Sequence, residues 1–276
     1  MVSYYNLVAT IFKGETAKML IKARRKIDFT EGPLFWRLIQ FMIHIILTNM
    51  LQTLYDTADK IVVGQFSGDP NALGAIGSTT FISGLVLNFL IGIGAGAGVV
   101  VAQAFGSKKD EDVSRAAHNA FILSFGMAVV LTVVAYSTAA PMLRLLDTKD
   151  EVFDSALLYI SIVYSGIFAT SIYNIGASIL RAVGDSTTSL NIGMVSGLIN
   201  VLLNIFFVVV CDMSVAGVAI ATVIAKYFSA LSVIVYLWRK KGESYAFSPR
   251  KLIPHKQTIH SLPKRSPPSR PGAVTC

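Results

Sequence analysis

The sequence predicts an all-α membrane protein with six transmembrane helices, and three observations support this prediction. Only 14% of the 276 residues are charged and 53% are hydrophobic, whereas ordinary soluble domains carry about 25% charged residues. The apolar residues form six long blocks, and each block reaches the roughly 20 residues that a helix needs to cross a bilayer. The blocks also lack the period-two alternation that is typical of the strands of a membrane barrel.

Short polar segments with turn residues and charges separate the blocks, for example "GSKKDEDVS" and "VGDSTT". The six predicted spans cover residues 35–64, 73–104, 116–143, 155–181, 188–210 and 215–238. Short connections make consecutive helices antiparallel neighbours. We therefore predict one six-helix transmembrane lobe over residues 34–241.

The basic residues predict which side of the membrane each loop faces. They precede span 1, lie between spans 2 and 3, and follow spans 4 and 6, which are all on one side. The other side has Arg144 and Lys149 among several carboxylates. Because cytoplasmic loops are enriched in Lys and Arg, we expect a multi-pass plasma-membrane protein with both termini in the cytoplasm. The net charge of +8 therefore indicates topology, and no nucleic-acid partner is predicted.

The two ends of the chain differ in composition from the predicted lobe. Residues 1–33 form a basic segment that we expect to be cytoplasmic. Residues 242–276 are rich in proline and basic residues, and six of the chain's nine prolines lie after Ser248. Such a composition cannot build a core, so we predict a disordered cytoplasmic tail.

Span 1 carries polar side chains where a membrane helix should be apolar. Asn49, Gln52, Asp56 and Asp59 are spaced three, four and three residues apart, which places them on one face of a helix. Tyr55 lies one turn from Asp59. A charged side chain at the bilayer centre costs about 2.5–3.5 kcal/mol on the insertion scale, so ionisable residues there often mark ion pathways.

Spans 5 and 6 carry polar residues at a similar depth. Asn200 and Asn204 are four residues apart and share a face of span 5, and Thr222 lies in span 6. At about 1.5 Å per residue, these three residues and Asp59 fall in the outer half of the membrane. The predicted ion- or proton-coupling residues are Asp59, Asn200, Asn204, Thr222 and Tyr55, with Asn49, Gln52 and Asp56 as secondary polar residues.

Simpler roles are also compatible with the spacing. Asp59 could lie at the headgroup boundary and pair with Lys60, and Asp56 could form a helix-surface pair with the same lysine, four residues away. The two asparagines of span 5 could provide interhelical hydrogen bonds. Lys226 of span 6 is expected to extend toward the membrane interface or to pair across helices.

The segment "GIGAGAG" at Gly92–Gly98 fits part of a nucleotide-binding loop, but no strand precedes it and it lies inside an apolar span. We expect Gly94 and Gly98 to form a small-residue contact between helices. The four histidines and two cysteines have no metal-ligand spacing. Neither an enzyme nor an organic cofactor is predicted.

Motifs spread over residues 28–241 resemble the first half of a multidrug and toxic compound extrusion (MATE) transporter. The similar segments are "LYDTADKIVVGQFSGD", "GIGAGAGVVVAQAFGSKKDEDVSRA", "ILRAVGDSTTS" and "GLINVLLNIFFV". Their combination is specific, with T-A-D ending span 1, A-Q-x-x-G ending span 2 and L-R-A-x-G-D after span 4.

This resemblance implies a fold of twelve helices in two six-helix lobes, of which this chain supplies one. It implies export of organic, often cationic, drugs in exchange for Na⁺ or H⁺. Asp59 matches the family's coupling carboxylate on helix 1, and Tyr55 matches the tyrosine one turn away. The resemblance implies no metal ion other than Na⁺ at Asp59. Asn200, Asn204 and Thr222 match polar positions on helices 5 and 6.

The chain also departs from the family pattern. Asn204 stands where relatives often have aspartate, Asp56 replaces a common asparagine, and His44 replaces a common proline. The family would enter helix 7 after "KLIPHKQTIHSL", but this chain continues with "PKRSPPSRPGAVTC". We hypothesise a truncated product that results from a frameshift near Leu262.

Three functions are compatible with these features. The chain could be a transporter lobe that acts with a second lobe or as a homodimer, because the family's lobes are parallel repeats about an axis along the membrane normal. It could be an inert or regulatory membrane fragment. It could also export a lipid-linked or polysaccharide substrate on a similar scaffold. The expected partners are membrane lipids and small organic cations.

Overall fold

The structure is a computed structural model that describes residues 34–240 and 243–247, apart from several side chains before residue 52. The predicted N-terminal segment, 1–33, and most of the predicted tail lie outside the described residues. The α-helices are α1 (Leu34–Phe66), α2 (Ala72–Gly106), α3 (Asp110–Leu145), α4 (Asp150–Tyr164), α5 (Ile167–Ala182), α6 (Ser186–Ile205) and α7 (Val215–Arg239). A π-helical segment, Phe206–Val210, directly follows α6.

The described helices confirm the predicted all-α membrane fold. Four of them, α2, α3, α7 and α6 with its π-helical extension, are long and apolar enough to cross a membrane, and the bent pair α4–α5 makes a fifth span. Helix α1 does not meet that hydropathy criterion, although its 33 residues would extend over about 50 Å. Each predicted span therefore corresponds to one helix or to one broken helix.

The predicted span over 155–181 is a broken helix, which is interrupted after Tyr164 and whose two parts are bent by 47°. Helix α7 supports this break. Tyr227 Oη donates a hydrogen bond to the Ser165 carbonyl at 3.1 Å, which satisfies an acceptor near the break. A Cβ at Gly166 would lie 3.2 Å from Lys226 Cδ, so the glycine gives the lysine stem room.

The turn after α5 explains the L-R-A-x-G-D motif. Gly184 has φ of +83°, a conformation that suits glycine, and the Asp185 N–H donates to the Leu180 carbonyl at 2.8 Å as in a Schellman cap. Asp185 Oδ1 then accepts the N–H of Thr188 at 3.2 Å and caps α6. Tyr236 Oη of α7 donates to Asp185 Oδ2 at 2.7 Å. One aspartate thus joins the α5–α6 turn to the end of α7.

The apolar core consists of two clusters at opposite ends of the bundle. One includes Val63 near the end of α1, Ala72 at the start of α2 and Leu143 near the end of α3. The other includes Val101 of α2 and Leu237 of α7, together with residues at the start of α3. Apolar packing therefore closes both ends, while polar side chains gather where α1 meets α6.

The predicted contact of Gly94 and Gly98 is confirmed. A Cβ at Gly94 would lie 3.2 Å from the Asn174 carbonyl oxygen of α5, and one at Gly98 would lie 3.4 Å from Ser178 Cβ. Helices α2 and α5 therefore pack closely along the glycine-rich segment.

Residues 243–247, which belong to the predicted tail, pack against the bundle. Tyr245 is only 1% exposed. The Phe247 ring lies 5.1 Å from Phe121 in an edge-on contact and stacks on His118 at 6.1 Å between ring centroids. The disorder predicted for the tail stays a prediction for residues 248–276, which lie outside the described residues.

Close packing of α5 on α7 yields a stability prediction. A Cβ at Gly176 would lie 2.6 and 2.8 Å from the two γ-methyl groups of Val233. We expect Gly176→Ala to lower the free energy of unfolding by about 1–3 kcal/mol, because the extra methyl overpacks this contact. Unfolding of the purified protein in detergent micelles measures the change.

Gly96→Ala is the matched control, because a Cβ there would meet nothing within 4 Å. The additional substitution Val233→Ala should recover part of the lost stability in the Gly176→Ala background. Equal stability of the Gly176→Ala variant and the unmodified protein would contradict the prediction.

Candidate ion-coupling site and adjoining cavity

Hydrogen bonds connect the predicted polar residues of α1, α6 and α7. Asn204 Nδ2 donates to Asp59 Oδ1, which joins α6 to α1. The same nitrogen lies 3.5 Å from Asn200 Oδ1, and Asn200 Nδ2 donates to Thr222 Oγ1 of α7 at 3.3 Å. Four of the five residues predicted for coupling therefore form one continuous network.

This network is shielded from solvent. Asp59 is 8% exposed, Asn200 6% and Asn204 0%. No ion pair within 4.0 Å joins Asp59 to a lysine in the part of the chain that the structure describes. The carboxylate is thus held by an amide from another helix, which disfavours the alternative of a headgroup-level pair with Lys60.

Tyr55, the fifth predicted residue, fixes how closely α1 approaches α6. Its ring packs on Gly197, and a Cβ at that glycine would overlap the ring. Tyr55 Oη donates to the Met194 carbonyl at 3.2 Å. Gly197, Asn200 and Asn204 recur at helical spacing, so one face of α6 supplies both the contact for Tyr55 and the amides.

Local features at the end of α6 leave an acceptor beside Asp59. The regular helix ends at Ile205, and the following turn is π-helical, with the Cys211 N–H donating to the Phe206 carbonyl at 3.1 Å. Such segments often occur at functional sites. Asn204 Oδ1 is buried and has no hydrogen-bond partner, which is unusual for a buried oxygen. This oxygen is therefore an unpaired acceptor on the residue that hydrogen-bonds to Asp59.

A cavity of about 380 Å³ adjoins the network, and this volume lies within the range of small-ligand sites. Asp59, Asn200 and Thr222 lie on its wall. Apolar side chains form another part of the wall, and these include Ile76, Leu87, Leu90, Ile91, Val163, Ile167 and Leu190. The cavity can therefore hold an amphipathic molecule next to the buried carboxylate.

The secondary polar residues are placed differently. Gln52 and Asp56 line the cavity on the same helix as Asp59 but are exposed and take no part in the asparagine network. Asn49 lies on α1, and its side chain falls outside the described residues. The one-face pattern on span 1 thus places Gln52 and Asp56 at the cavity, and of these three polar residues only Asp59 hydrogen-bonds to α6 among the described contacts.

The sequence pattern did not place Lys226 or Tyr159 at this cavity, although pairing across helices was one of the two roles expected for Lys226. Lys226 of α7 interacts electrostatically with Asp56 and Asp59, and no described residue forms an ion pair with it within 4.0 Å. Its position four residues after Thr222 was the available signal, since that spacing places both on one helix face. Tyr159 of α4 also interacts with both carboxylates, but no spacing within α4 indicates this, because the partners lie on another helix.

A family model described as MatE matches residues 45–206. The chain belongs to the MATE family. It is 30% identical over 216 residues to the probable multidrug resistance protein YpnP of Bacillus subtilis, and the match covers 78% of this chain and 48% of that protein. It is 22% identical over 243 residues to the multidrug export protein MepA of Staphylococcus aureus, with coverage of 85% and 51%. These relationships confirm the resemblance seen in the sequence motifs.

Solved structures show the same fold. A crystal structure of MATE in the bent conformation is 24% identical with a TM-score of 0.74, covering 80% of this chain and 49% of that one. A transporter of the MOP superfamily from Pyrococcus furiosus is 23% identical with a TM-score of 0.75, covering 85% and 52%. The chain spans about half the length of the curated relatives that it matches.

The hydrogen bond between Asp59 and Asn204 leads to a testable energetic coupling. We expect a double-mutant cycle with Asp59→Ala and Asn204→Ala to give an interaction free energy of about 0.5–2 kcal/mol, as for hydrogen bonds between membrane helices. The free energies of unfolding in detergent micelles provide the four values. A parallel cycle with Gln52→Ala and Asn204→Ala should be additive, and equal coupling in both cycles would argue against the specific contact.

Proposed function

We propose that the chain is the N-terminal lobe of an exporter that exchanges organic cations for Na⁺ or H⁺ across the plasma membrane. The single observation that carries this proposal is the buried Asp59, which is linked to Asn204, Asn200 and Thr222 beside a ligand-sized cavity. The names of the relatives, which refer to multidrug resistance and multidrug export, support the export of drugs.

The buried carboxylate is the proposed coupling group. A bare carboxylate is costly in a low-dielectric helix bundle, and either a proton or Na⁺ neutralises it. A proton needs only the carboxylate itself. Na⁺ needs several oxygen ligands, and Asp59, Asn200, Asn204 and Thr222 each carry a side-chain oxygen at the site. No further cofactor is required by the proposal.

Cation binding at Asp59 can change the packing of α1. The carboxylate accepts a hydrogen bond from Asn204, so a proton or Na⁺ on Asp59 competes with the contact that joins α1 to α6. A ligand shifts a conformational equilibrium by the difference between its affinities for the two states. Unequal cation affinity in inward- and outward-open states would therefore drive alternating access.

The proposed assembly has two lobes in the membrane, with the chain ends of this lobe in the cytoplasm. The second lobe is either another polypeptide or a second copy of this chain, since parallel repeats are related by an axis along the membrane normal. The substrate occupies the cavity with its apolar body near the side chains of α2 and α4 and its cationic group near the carboxylates of α1.

We expect Asp59→Asn to abolish cation-driven efflux of a fluorescent organic cation, because the amide can neither take up a proton nor neutralise Na⁺. The measurement uses proteoliposomes with an imposed Na⁺ gradient in one arm and a pH gradient in the other. Asp154→Asn is the matched control, since it removes the same charge from an exposed position of α4. It should retain efflux.

The assay is run with the chain alone and with a co-reconstituted C-terminal lobe from a MATE relative. Efflux by the chain alone, together with a cross-linked dimer, supports a homodimer, whereas efflux only in the mixture supports a partner lobe. Efflux in neither case would favour the inert or regulatory fragment. Unchanged efflux by the Asp59→Asn variant would remove Asp59 from the mechanism.

A further inference from the structure

Helix α7 places a lysine among the carboxylates of the candidate site. Lys226, Asp56 and Asp59 all lie on the wall of the cavity. Of these three residues, only Asp59 takes part in the hydrogen-bonded network that ends at Thr222. A charged side chain inside a membrane bundle is costly, so the lysine and the additional acid need an explanation.

Hydrogen bonds of the two neighbouring residues hold the backbone of Lys226 in place. On one side, Ser196 Oγ of α6 donates to the Ala225 carbonyl at 2.6 Å. On the other side, Tyr227 Oη donates to the Ser165 carbonyl at 3.1 Å. The position of Lys226 is therefore fixed relative to α6 and to the break between α4 and α5.

The same level of α6 contacts α1 next to Asp56. Gly197 directly follows Ser196 in α6, and the Tyr55 ring of α1 packs on this glycine. Asp56 directly follows Tyr55. The contacts of α6 with α1 and with α7 thus place Asp56 and Lys226 at one level of the bundle.

Asp59 lies at the next level, which Thr222 shares. Asn204 and Asn200 connect these two residues by hydrogen bonds. Thr222 precedes Lys226 by one helical turn, or about 6 Å along the axis, and the two carboxylates of α1 differ in height by about 4.5 Å. The flexible four-carbon stem of a lysine spans such a difference.

The structure shows Lys226 between two acids. It interacts electrostatically with Asp56 and with Asp59, but no ion pair within 4.0 Å joins it to either acid in the described part of the chain. Its stem packs at the helix break, where Cδ would be 3.2 Å from a Cβ at Gly166. The bonds beyond Cδ therefore decide which acid the ammonium group approaches.

The two acids differ in their need for a counter-charge. Asp59 is buried and Asp56 is exposed, so water solvates Asp56 but not Asp59. Lys60, the other lysine of the cavity wall, is exposed, and water and salt screen its charge. Tyr159 of α4 also interacts with both carboxylates but brings no positive charge. A cation that arrives at Asp59 therefore competes with Lys226.

We propose that Lys226 is an internal counter-cation, which neutralises Asp59 while the site is empty and pairs with Asp56 when a cation occupies Asp59. The cation is either the coupling ion or the cationic group of a substrate. This inference rests on the proposed function, because it assigns a role to Lys226 at the same carboxylate. The buried acid is compensated in both states, so the cation can leave without exposing a bare charge to the low-dielectric bundle.

The test measures binding of a rhodamine ester, an organic dye with one permanent positive charge and no acid group. Fluorescence anisotropy gives its dissociation constant for the full chain in lipid nanodiscs, in Na⁺-free buffer. We expect Lys226→Met to bind the dye about tenfold more tightly, because the competing charge is gone. We expect Asp56→Asn to bind it about fivefold more weakly, because Lys226 then has no second partner.

The double variant separates a shared counter-cation from independent charges. In the Lys226→Met background, Asp56→Asn should change the dissociation constant less than about twofold, because no lysine remains to change partners. Independent charges would instead give the same change in both backgrounds.

Three further variants serve as controls. Lys226→Arg should keep the dissociation constant within about threefold, because it retains the positive charge. Lys226→Gln should tighten binding as Lys226→Met does, and it covers the case in which Lys226→Met does not fold. Lys149→Met removes the charge of an exposed lysine at the start of α4 and should leave the constant unchanged.

The outcomes separate this inference from the proposed function. The counter-cation proposal fails, and the cation cavity stands, if the unmodified chain binds the dye but neither neutral variant of Lys226 binds it more tightly. It fails in the same way if Asp56→Asn has equal effects with and without the lysine. Both proposals fail if neither the unmodified chain nor the Lys226→Met variant binds the dye.

Discussion

A side-chain hydrogen bond in a low-dielectric environment, between the Asp59 carboxylate and the Asn204 amide, joins helix α1 to the polar network of α6 and α7. Helix α1 packs chiefly against α6, and the other specific contact between them is that of Tyr55 with Gly197 and the Met194 carbonyl. Few apolar side chains of the described part of α1 are buried. Polar contacts are therefore a large part of the interface of α1, and a polar contact can respond to a proton or a cation, which apolar packing cannot.

Helix α7 connects the polar network to the rest of the bundle. Thr222 ends the hydrogen-bonded network, Lys226 reaches the cavity one turn later, and Tyr236 holds the α5–α6 turn through Asp185. The same helix contacts the break between α4 and α5 through Tyr227. A change in the packing of α1 against α6 would thus alter the hydrogen bond to α7, and α7 contacts both the cavity and the turn after α5.

Much of the fold and of the candidate site could be predicted from local patterns. Block length and turn residues gave helices close to their observed bounds, and the three- and four-residue spacing of polar side chains selected Asp59, Asn200 and Asn204. The break at Gly166 could not be predicted, because an isolated glycine is common in membrane helices and its effect depends on the α7 side chains that fill the space. The place of Tyr159 at the cavity could not be predicted either, since its electrostatic partners lie on another helix.

The sequence alone determined the membrane class, the approximate bounds of the helices, and the helix faces that carry polar groups. These follow from composition and from the 3.6-residue period, which are properties of each segment by itself. The tertiary structure decided which faces meet, which carboxylate is buried, and which donors and acceptors remain unpartnered at the cavity. Those features depend on distances between segments far apart in the chain, such as Asp59 and Asn204, and only packing sets such distances.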